Sequence, residues 1–529
     1  HIPYNQTNSF SKLILDYLDG AAPLQPFYKH APSLEGVRAN IAARQQYATN
    51  RQVLVDVLRQ QYEKLTAPAA VQANIDALLD NNTFTVCTAH QPNLFTGPLY
   101  FVYKVLHTIR LTSWLQAQLP SYKFVPVYYM GSEDADFAEL NHTYVDGKKL
   151  EWKKEQTGAV GRMQVDRTLL QLIDELEGQL VYEPFGREVV EMLRRCYTNG
   201  RTIQDATFEL VNELYGEWGL VVLIPDHPAL KAQMQHVFEE DIFQNTSSQI
   251  VQQTSEKLGK EYNVQAHPRE INLFYLKDSI RERIERRDDQ FYVLNTDIHF
   301  TEEALRHELE QHPERFSPNV ILRGLYQEMI LPNLAFIGGG GETAYWLQLC
   351  ELFAHYSVPY PVLVLRNSFL IVEQKWQEKL AKLAFTATDL FQSDDILMKG
   401  IVARNSVHAV SLNGNFEQAN ALYETIREQA ETIDPTLSQY VAAIKARSLK
   451  ELQELEKKML RAEKRKFADQ QRQITVLKEA LFPANGLQER VENFSGFYAK
   501  WGRAFVAELL RHSPALEQQF TILTVEDQL

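Results

Sequence analysis

Five short runs of continuous apolar residues constrain the fold more than any other feature of the chain: TFTVCTA (83–89), YKFVPVYYM (122–130), GLVVLIPD (219–226), NLAFIGG (333–339) and YPVLVLR (360–366). A strand with one face in water alternates apolar and polar residues. Runs that do not alternate are covered on both faces, as in parallel sheets. Between the first two runs lies LYFVYKVLHTIRLTSWLQAQ, amphipathic at helical spacing, so 83–130 reads as strand, helix, strand. LCELFAHY stands in the same position after the glycine cluster. The expected fold is α/β, a parallel sheet with helices on both faces.

The rest of the chain is arranged around that sheet. With 529 residues there is room for roughly three to four domain-sized units, or one large core with insertions. Segment 1–82 reads as helical, with apolar residues at i, i+3, i+4 spacing, and Asn81-Asn82 closes it. The core is then 83–143, 201–234 and 321–370, and the stretches 144–200 and 235–320, richer in charge and less regular, read as insertions into the sheet rather than independent domains. From Leu422 a heptad pattern runs through Ile426, Ile433, Leu437, Tyr440 and Ile444 to Leu452, Leu455 and Met459. Pro435 should start or kink a helix there, and 368–383 is the expected antiparallel partner. Segment 371–480 is thus expected to be an α-helical coiled-coil arm, and 481–529, opened by Pro483, Asn485 and Gly486, to return to the core.

Composition removes several function classes. A net charge of −14 argues against a nucleic-acid binder, which needs a basic footprint. Three widely spaced cysteines without C-x-x-C argue against a disulfide framework or a structural zinc site and point to a reducing, cytoplasmic compartment. No apolar run approaches the ~20 residues of a membrane helix, and the first residues lack the pattern of a secretory leader. The basic stretch 445–478, with 11 basic and 5 acidic residues, reads as a solvated helix face. Cys87 and Cys350 read as buried apolar fillers.

Chemistry should gather where strands end, because open α/β sheets bind ligands at the carboxyl edge. The first such loop is His90-Gln91-Pro92-Asn93-Leu94-Phe95-Thr96-Gly97-Pro98. Here Thr96 is expected to cap the following helix, and free N–H groups to favour an anion. The second carries Glu133, Asp134, Asp136 and Glu139, four carboxylates in seven residues, followed by Asn141 and His142. Such a group suits an amine, Mg²⁺ or general-base work. The third, Gly338-Gly339-Gly340-Gly341-Glu342, is neither a P-loop nor a dinucleotide fingerprint, and serves either close approach to a ligand or a tight turn. Phe385 at the arm root, with Lys500 and Trp501 in the returning tail, offers aromatic faces and a cation for a second nucleotide site.

Taken together, TAHQPNLFTGPLYFVYK, MGSEDADFAELNH, FSPNVILRGLYQEMILPNLAFIGGGGETAYWLQL, VLRNSF and LFPANGLQERVENF resemble the cysteine ligase family of bacillithiol biosynthesis, in order and over nearly the whole chain. The resemblance implies a nucleotidyltransferase-like Rossmann core with connecting insertions, a coiled-coil arm and a homodimer. It also implies a reaction that joins cysteine to the amine of glucosaminyl malate. The chain carries Ala135 where the family pattern has histidine, His90 where glutamine or glycine is common, and Gly340 in a proline slot. It also lacks a K-M-S-K-S-like lysine loop.

On this basis Glu133, Asp134, Asp136 and His90 are the expected catalytic residues. Gln91, Asn93, Thr96, Gly97, Tyr100, Lys104, Asn141, His142, Arg323, Gly338, Gly339, Glu342, Tyr345, Arg366 and Ser368 are the expected substrate-binding ones. Arg323, Arg366 and His142 are assigned to carboxylates, the His90–Gly97 turn to the phosphate of an adenylate or acyl phosphate, and ATP or ADP with Mg²⁺ is the expected cofactor set. Two other functions use the same loops: a nucleotidyl or glycosyl transferase acting on another substrate, and a non-catalytic dimeric scaffold that only binds ligand.

Overall fold

The computed structural model describes residues 1–406 and 411–526. Positions 407–410 of the expected arm and the last three residues of the 481–529 segment therefore lie outside it. The chain divides into two compact units, one of 1–371 with 486–529 and one of 372–485.

The first unit is built on β1 (Thr83–His90), β2 (Lys123–Met130), β3 (Val221–Leu223), β4 (Asn333–Gly338) and β5 (Val362–Leu365). They form one parallel sheet in the order β5-β4-β1-β2-β3. All five apolar runs are strands, and all but the first residue of β2 is buried. Pro126 sits inside β2 without loss, because the short β3 pairs only Val127–Tyr129 and leaves that flank free. The crossover helix α1 (Tyr100–Gln118) packs Leu111 and Leu115, with Leu119 just past its end, against Phe84, Val86, Phe124 and Ile337, and Val37 and Ile41 of helix Leu34–Gln46 join the same core.

The strand order places the site. From β1 the chain steps to β2 and then β3 on one side, and it returns to lay β4 and β5 on the other. The loops after β1 and β4 therefore diverge, which opens a crevice above their carboxyl ends. In register, Thr88 faces Ile337, His90 faces Met130 and Gly338 faces Leu365, so four strand ends share one rim.

Two expectations need correction. The stretch 235–320 contains a regular five-stranded antiparallel sheet, with Leu273–Lys277, Ile280–Arg287 and Gln290–Val293 flanked by His299–Thr301 and Phe316–Pro318. Its two-residue turns begin at Asp278 and Asp288, both with positive φ as tight hairpins require. In the arm, the segment 368–383 is not the antiparallel partner, because Phe369–Glu373 is a strand and only Gln374–Lys382 is helical. The partner of α5 (Leu437–Lys464) is α4 (Asn413–Ile433), folded back across Asp434-Pro435-Thr436. Tyr423 and Ser448 share a hydrogen bond of 2.6 Å, and Lys445 meets Glu424 at 2.6 Å. The heptads thus form a hairpin within themselves, with the second helix starting just after Pro435.

Candidate functional site

A cavity of about 420 Å³ opens above the rim, lined from the ends of β1, β2, β4 and β5 and from the antiparallel sheet. Of the residues expected from sequence, His90, Gln91, Tyr100, Lys104, Glu133, Asp134, Arg323, Gly339, Glu342, Tyr345 and Arg366 line it together.

Its cations differ in what already neutralises them. Lys104 comes from α1, donates to the Ala89 carbonyl at 2.7 Å and pairs with Glu342 at 2.5 Å. Burial pulls its ammonium below the ordinary lysine range against the pull of that carboxylate. Glu342 also accepts the Gly339 N–H at 2.8 Å, which fixes the start of helix α3 (Gly340–Trp346). Arg366, one residue past β5, is held by the buried Glu489 at 2.7 Å and by Ser368 Oγ at 3.1 Å, with its guanidinium over the Tyr100 ring. Arg323, on helix α2 (Val320–Ile330), donates to the Tyr345 phenol and lies over Tyr129. Among the described residues, no carboxylate pairs with Arg323, Arg281 or Arg490, and all three line the cavity.

The acidic residues are sorted in the same way. Glu133 is 8% exposed, bonded to the Lys231 ammonium and accepting from Ser317 Oγ at 2.8 Å. Burial raises its pKa, and Lys231 opposes the rise. Behind it, Lys231 lies 3.8 Å from Asp226, which Arg162 grips with bonds of 2.7 and 2.8 Å. Those bonds overcome burial and hold Asp226 below the usual carboxylate range. Asp134 is more open, with one oxygen accepting from Gln91 Nε2 at 3.1 Å and the other from the Asp136 N–H at 3.1 Å. Burial, then Asp134 and Asp136, raise Glu139.

His90 is buried between Tyr100 and Phe101, each ring centroid 5.3 Å away, and its Nε2 has no hydrogen-bond partner. Burial, with the charges of Lys104, Arg366 and Arg323, holds its imidazole well below the usual range, so the ring is neutral near pH 7. Ser132 Oγ, also at the cavity, is likewise buried and unpartnered.

Other expected residues lie elsewhere. Thr96 caps nothing: its φ is +69°, its hydroxyl is buried without a partner, and α1 starts at Tyr100. The N–H groups of Asn93, Thr96 and Gly97 close the turn on itself, and that of Leu99 bonds Glu492, so these four present no N–H for a phosphate. Gly97 is needed for packing, since a Cβ there would meet Asn93 Cβ at 2.8 Å. Asp136 caps the short helix Phe137–Leu140. Asn141 bonds the Trp152 carbonyl at 3.1 Å, and His142 bonds Asn141 and begins the hairpin strand His142–Val145, away from the cavity lining. Gly338 ends β4 under Phe336, whose ring a Cβ would meet at 2.8 Å. Ser368 stands behind Arg366. None of Gly338–Gly341 has positive φ, so the run serves close approach rather than a left-handed turn. Phe385 belongs to the second unit, against Arg404, whereas Lys500 and Trp501 belong to the first, where Trp501 stacks on Phe497 and Phe505.

The sequence reading gave no role to Arg281, Asn319, Arg490, Tyr129, Ser132 or Lys231. Arg281 and Asn319 sit in the insertion whose strands went unread, and Lys231 lies in a helical turn with nothing to mark it as buried. Arg490 was visible within LFPANGLQERVENF. The three cysteines are buried. No helix among the described residues is long and apolar enough to cross a membrane. No group of three or more His, Cys, Asp or Glu there is placed to hold a metal ion. Mg²⁺ often arrives on substrate phosphates with one or two carboxylates. Of the cavity's carboxylates Glu342 pairs with Lys104 and Glu133 with Lys231, whereas among the described residues Asp134 and Glu139 form no ion pair.

Comparison with known proteins bears on the same regions. The family model described as "Bacillithiol biosynthesis BshC, N-terminal Rossmann-like domain" matches residues 1–367, and "Bacillithiol biosynthesis BshC, C-terminal coiled-coil domain" matches 369–525. A protein of Flavobacterium johnsoniae named "Putative cysteine ligase BshC" is 41% identical over 526 residues, 99% of each chain. Proteins of the same name from Christiangramia forsetii and Salinibacter ruber are 40% and 30% identical, over 99% and 96% of this chain and 98% and 94% of theirs.

Proposed function

The chain belongs to the BshC family of bacillithiol biosynthesis, and from that premise we propose that its strand-end cavity joins L-cysteine to the sugar amine of glucosaminyl malate, forming an amide and so bacillithiol. One observation carries the reading. Lys104 and Arg366 already have carboxylate partners, while Arg323 and Arg490 keep their charge for substrate in the same cavity as Asp134. Both substrates carry carboxylates, and both carry amines that are charged in water.

In the reaction a bond forms between the cysteine carboxyl carbon and the sugar nitrogen. A carboxyl oxygen leaves with the activating group, and the nitrogen, an ammonium in water, gives up two of its three protons and keeps one in the amide. A free carboxylate is a poor electrophile, so a nucleoside triphosphate, ATP by expectation, activates it as a mixed anhydride: an acyl phosphate, which releases ADP and then phosphate, or an acyl adenylate, which releases pyrophosphate and then AMP. The chain's own residues bind and move protons. Arg323 and Arg490 receive carboxylates, forming charge-assisted hydrogen bonds that are stronger than neutral ones. Asp134, steered by Gln91, takes the proton of the sugar ammonium, a role Glu133 cannot fill while Lys231 and Ser317 hold it. The neutral His90, which lines the same cavity and whose buried Nε2 has no hydrogen-bond partner among the described residues, is a second group for proton transfer.

We place a homodimer contact on the arm. Ile433 is 82% and Tyr440 66% exposed in the α4–α5 hairpin, with Leu422 and Leu455 on the same heptad pattern, an apolar stripe that a second copy would cover.

The test of function is a thiol profile of a deletion strain. The wild-type gene should restore bacillithiol, and Asp134→Asn should leave glucosaminyl malate to accumulate. Purified protein given both substrates and ATP should form the thiol. No product in either setting refutes the ligase reading.

A further inference from the structure

We propose that Arg281, supplied by the antiparallel sheet inserted between β3 and β4, is a specificity-determining residue that receives a substrate carboxylate in the strand-end cavity. The inference rests on the ligase reading and adds a receptor outside the parallel core.

Arg281 is the second residue of strand Ile280–Arg287, two positions past the Asp278-Ser279 turn, and it lines the cavity. Its guanidinium is fixed from three sides. It lies over the Phe274 ring at 4.0 Å, Nε donates to Ser317 Oγ at 3.0 Å, and Nη2 donates to the Pro318 carbonyl at 3.5 Å. Ser317 in turn donates to Glu133. The stack and the two donations use one edge of the fork and leave Nη1 without an acceptor among the described residues. A planar cation locked in this way has lost its rotamer entropy before ligand arrives, which is the preorganisation that favours tight oxyanion binding.

The surroundings favour a carboxylate that arrives beside an amine. Glu133 and Asp134 are near enough to act on Arg281 electrostatically, yet neither forms an ion pair with it. An ammonium at Asp134 and a carboxylate at Arg281 would each meet the opposite charge. The carboxylate has two sources, cysteine and the malyl group, and the experiment separates them.

The experiment is calorimetric titration of the full chain with L-cysteine and with glucosaminyl malate separately, for wild type, Arg281→Met and Arg281→Lys. Methionine keeps the apolar stem on Phe274 and removes the charge. Lysine keeps the charge and loses the fork, which guards against a folding defect, and thermal melting checks both variants. Loss of a charged hydrogen-bonded contact predicts about a 10- to 100-fold weaker Kd for one ligand in Arg281→Met, with an intermediate loss in Arg281→Lys. Weakening confined to glucosaminyl malate assigns Arg281 to the malyl group, and weakening confined to cysteine assigns it to the amino-acid carboxylate. If wild type binds both ligands and neither variant changes either Kd, the inference is overturned and the ligase reading stands. If wild type binds neither ligand, both fall.

Discussion

Replacing Lys231 by methionine tests the buried charge chain beneath the cavity. Lys231 is 0% exposed and contacts Glu133, the Glu314 carbonyl at 3.0 Å and Asp226 at 3.8 Å. Methionine fills nearly the same volume, so packing is preserved and the loss is electrostatic. Asp226 keeps Arg162, but Glu133 is left buried with only the Ser317 hydrogen bond. It escapes by taking up a proton. From its ordinary value of 4.5 to pH 7 is 2.5 units, and at 1.36 kcal/mol per unit this limits the penalty to about 3.4 kcal/mol. That figure falls within the ~3–5 kcal/mol typical of a broken buried pair. The sign is fixed by linkage. A carboxyl whose folded pKa lies above its unfolded one costs nothing below the unfolded value, and costs progressively more as pH rises through the gap. At pH 5 the gap is half a unit, and the penalty shrinks to about 0.7 kcal/mol. The assay is urea denaturation of wild type and variant at pH 5, 6 and 7, with Lys231→Met/Glu133→Gln as the partner variant. The difference should grow with pH, and the double variant should recover most of the loss at pH 7. A pH-independent loss, or none regained in the double variant, refutes the account of Glu133 as an ionised group held by Lys231.

Asp134→Asn keeps size and removes the open carboxylate, so turnover should fall about 10²–10⁴-fold while the melting temperature stays near wild type, as read by thiol formation and calorimetry. Gly338→Ala sets a Cβ 2.8 Å from the Phe336 ring and should cost roughly 1–3 kcal/mol in urea denaturation. On the arm, Ile433→Glu with Tyr440→Glu should yield monomer by light scattering without loss of helix signal, and an unchanged dimer would move the interface elsewhere. Titration with ATP and ADP of wild type, Lys500→Ala and Gln91→Ala separates a nucleotide seat at the cavity from one beside Trp501.

The sheet was legible because burial on both faces leaves a mark in composition, and TFTVCTA or YPVLVLR admits little else. The insertion sheet was not. Ile280–Arg287 reads IRERIERR, with only Ile284 buried, so no apolar alternation marks it as a strand. The readable signal was in the turns, where Asp278-Ser279 and Asp288-Asp289 each join strands across two residues. The arm shows the converse limit. Heptad spacing reports which residues seek a partner and not which partner they find, while Pro435, expected to start or kink a helix, stands just before the start of α5 at the reversal of the chain.

The site divides along the same line. A strand end predicts where side chains go, and His90, Glu133 and Asp134 are placed at the cavity that way, whereas Arg366 comes from the resemblance carried by VLRNSF. It does not predict which charges are already spent. Glu133 and Asp134 are adjacent in sequence, yet one is tied to Lys231 and Ser317 and the other accepts only Gln91 and a backbone N–H. Arg323 and Arg366 look alike on paper, yet Glu489 neutralises Arg366, whereas Arg323 meets the Tyr345 phenol and the Tyr129 ring and, among the described residues, no paired carboxylate. Ser317 lies 184 positions from Glu133 and Glu489 lies 123 from Arg366, and even Gln91 is 43 from Asp134, so local pattern could not reach these pairings. What a ligand experiences in this cavity is the residue of charge left after the fold has paired the rest. Among the described residues that remainder is Arg281, Arg323 and Arg490 with Asp134 and Glu139, an arrangement suited to substrates that carry carboxylates and amines together.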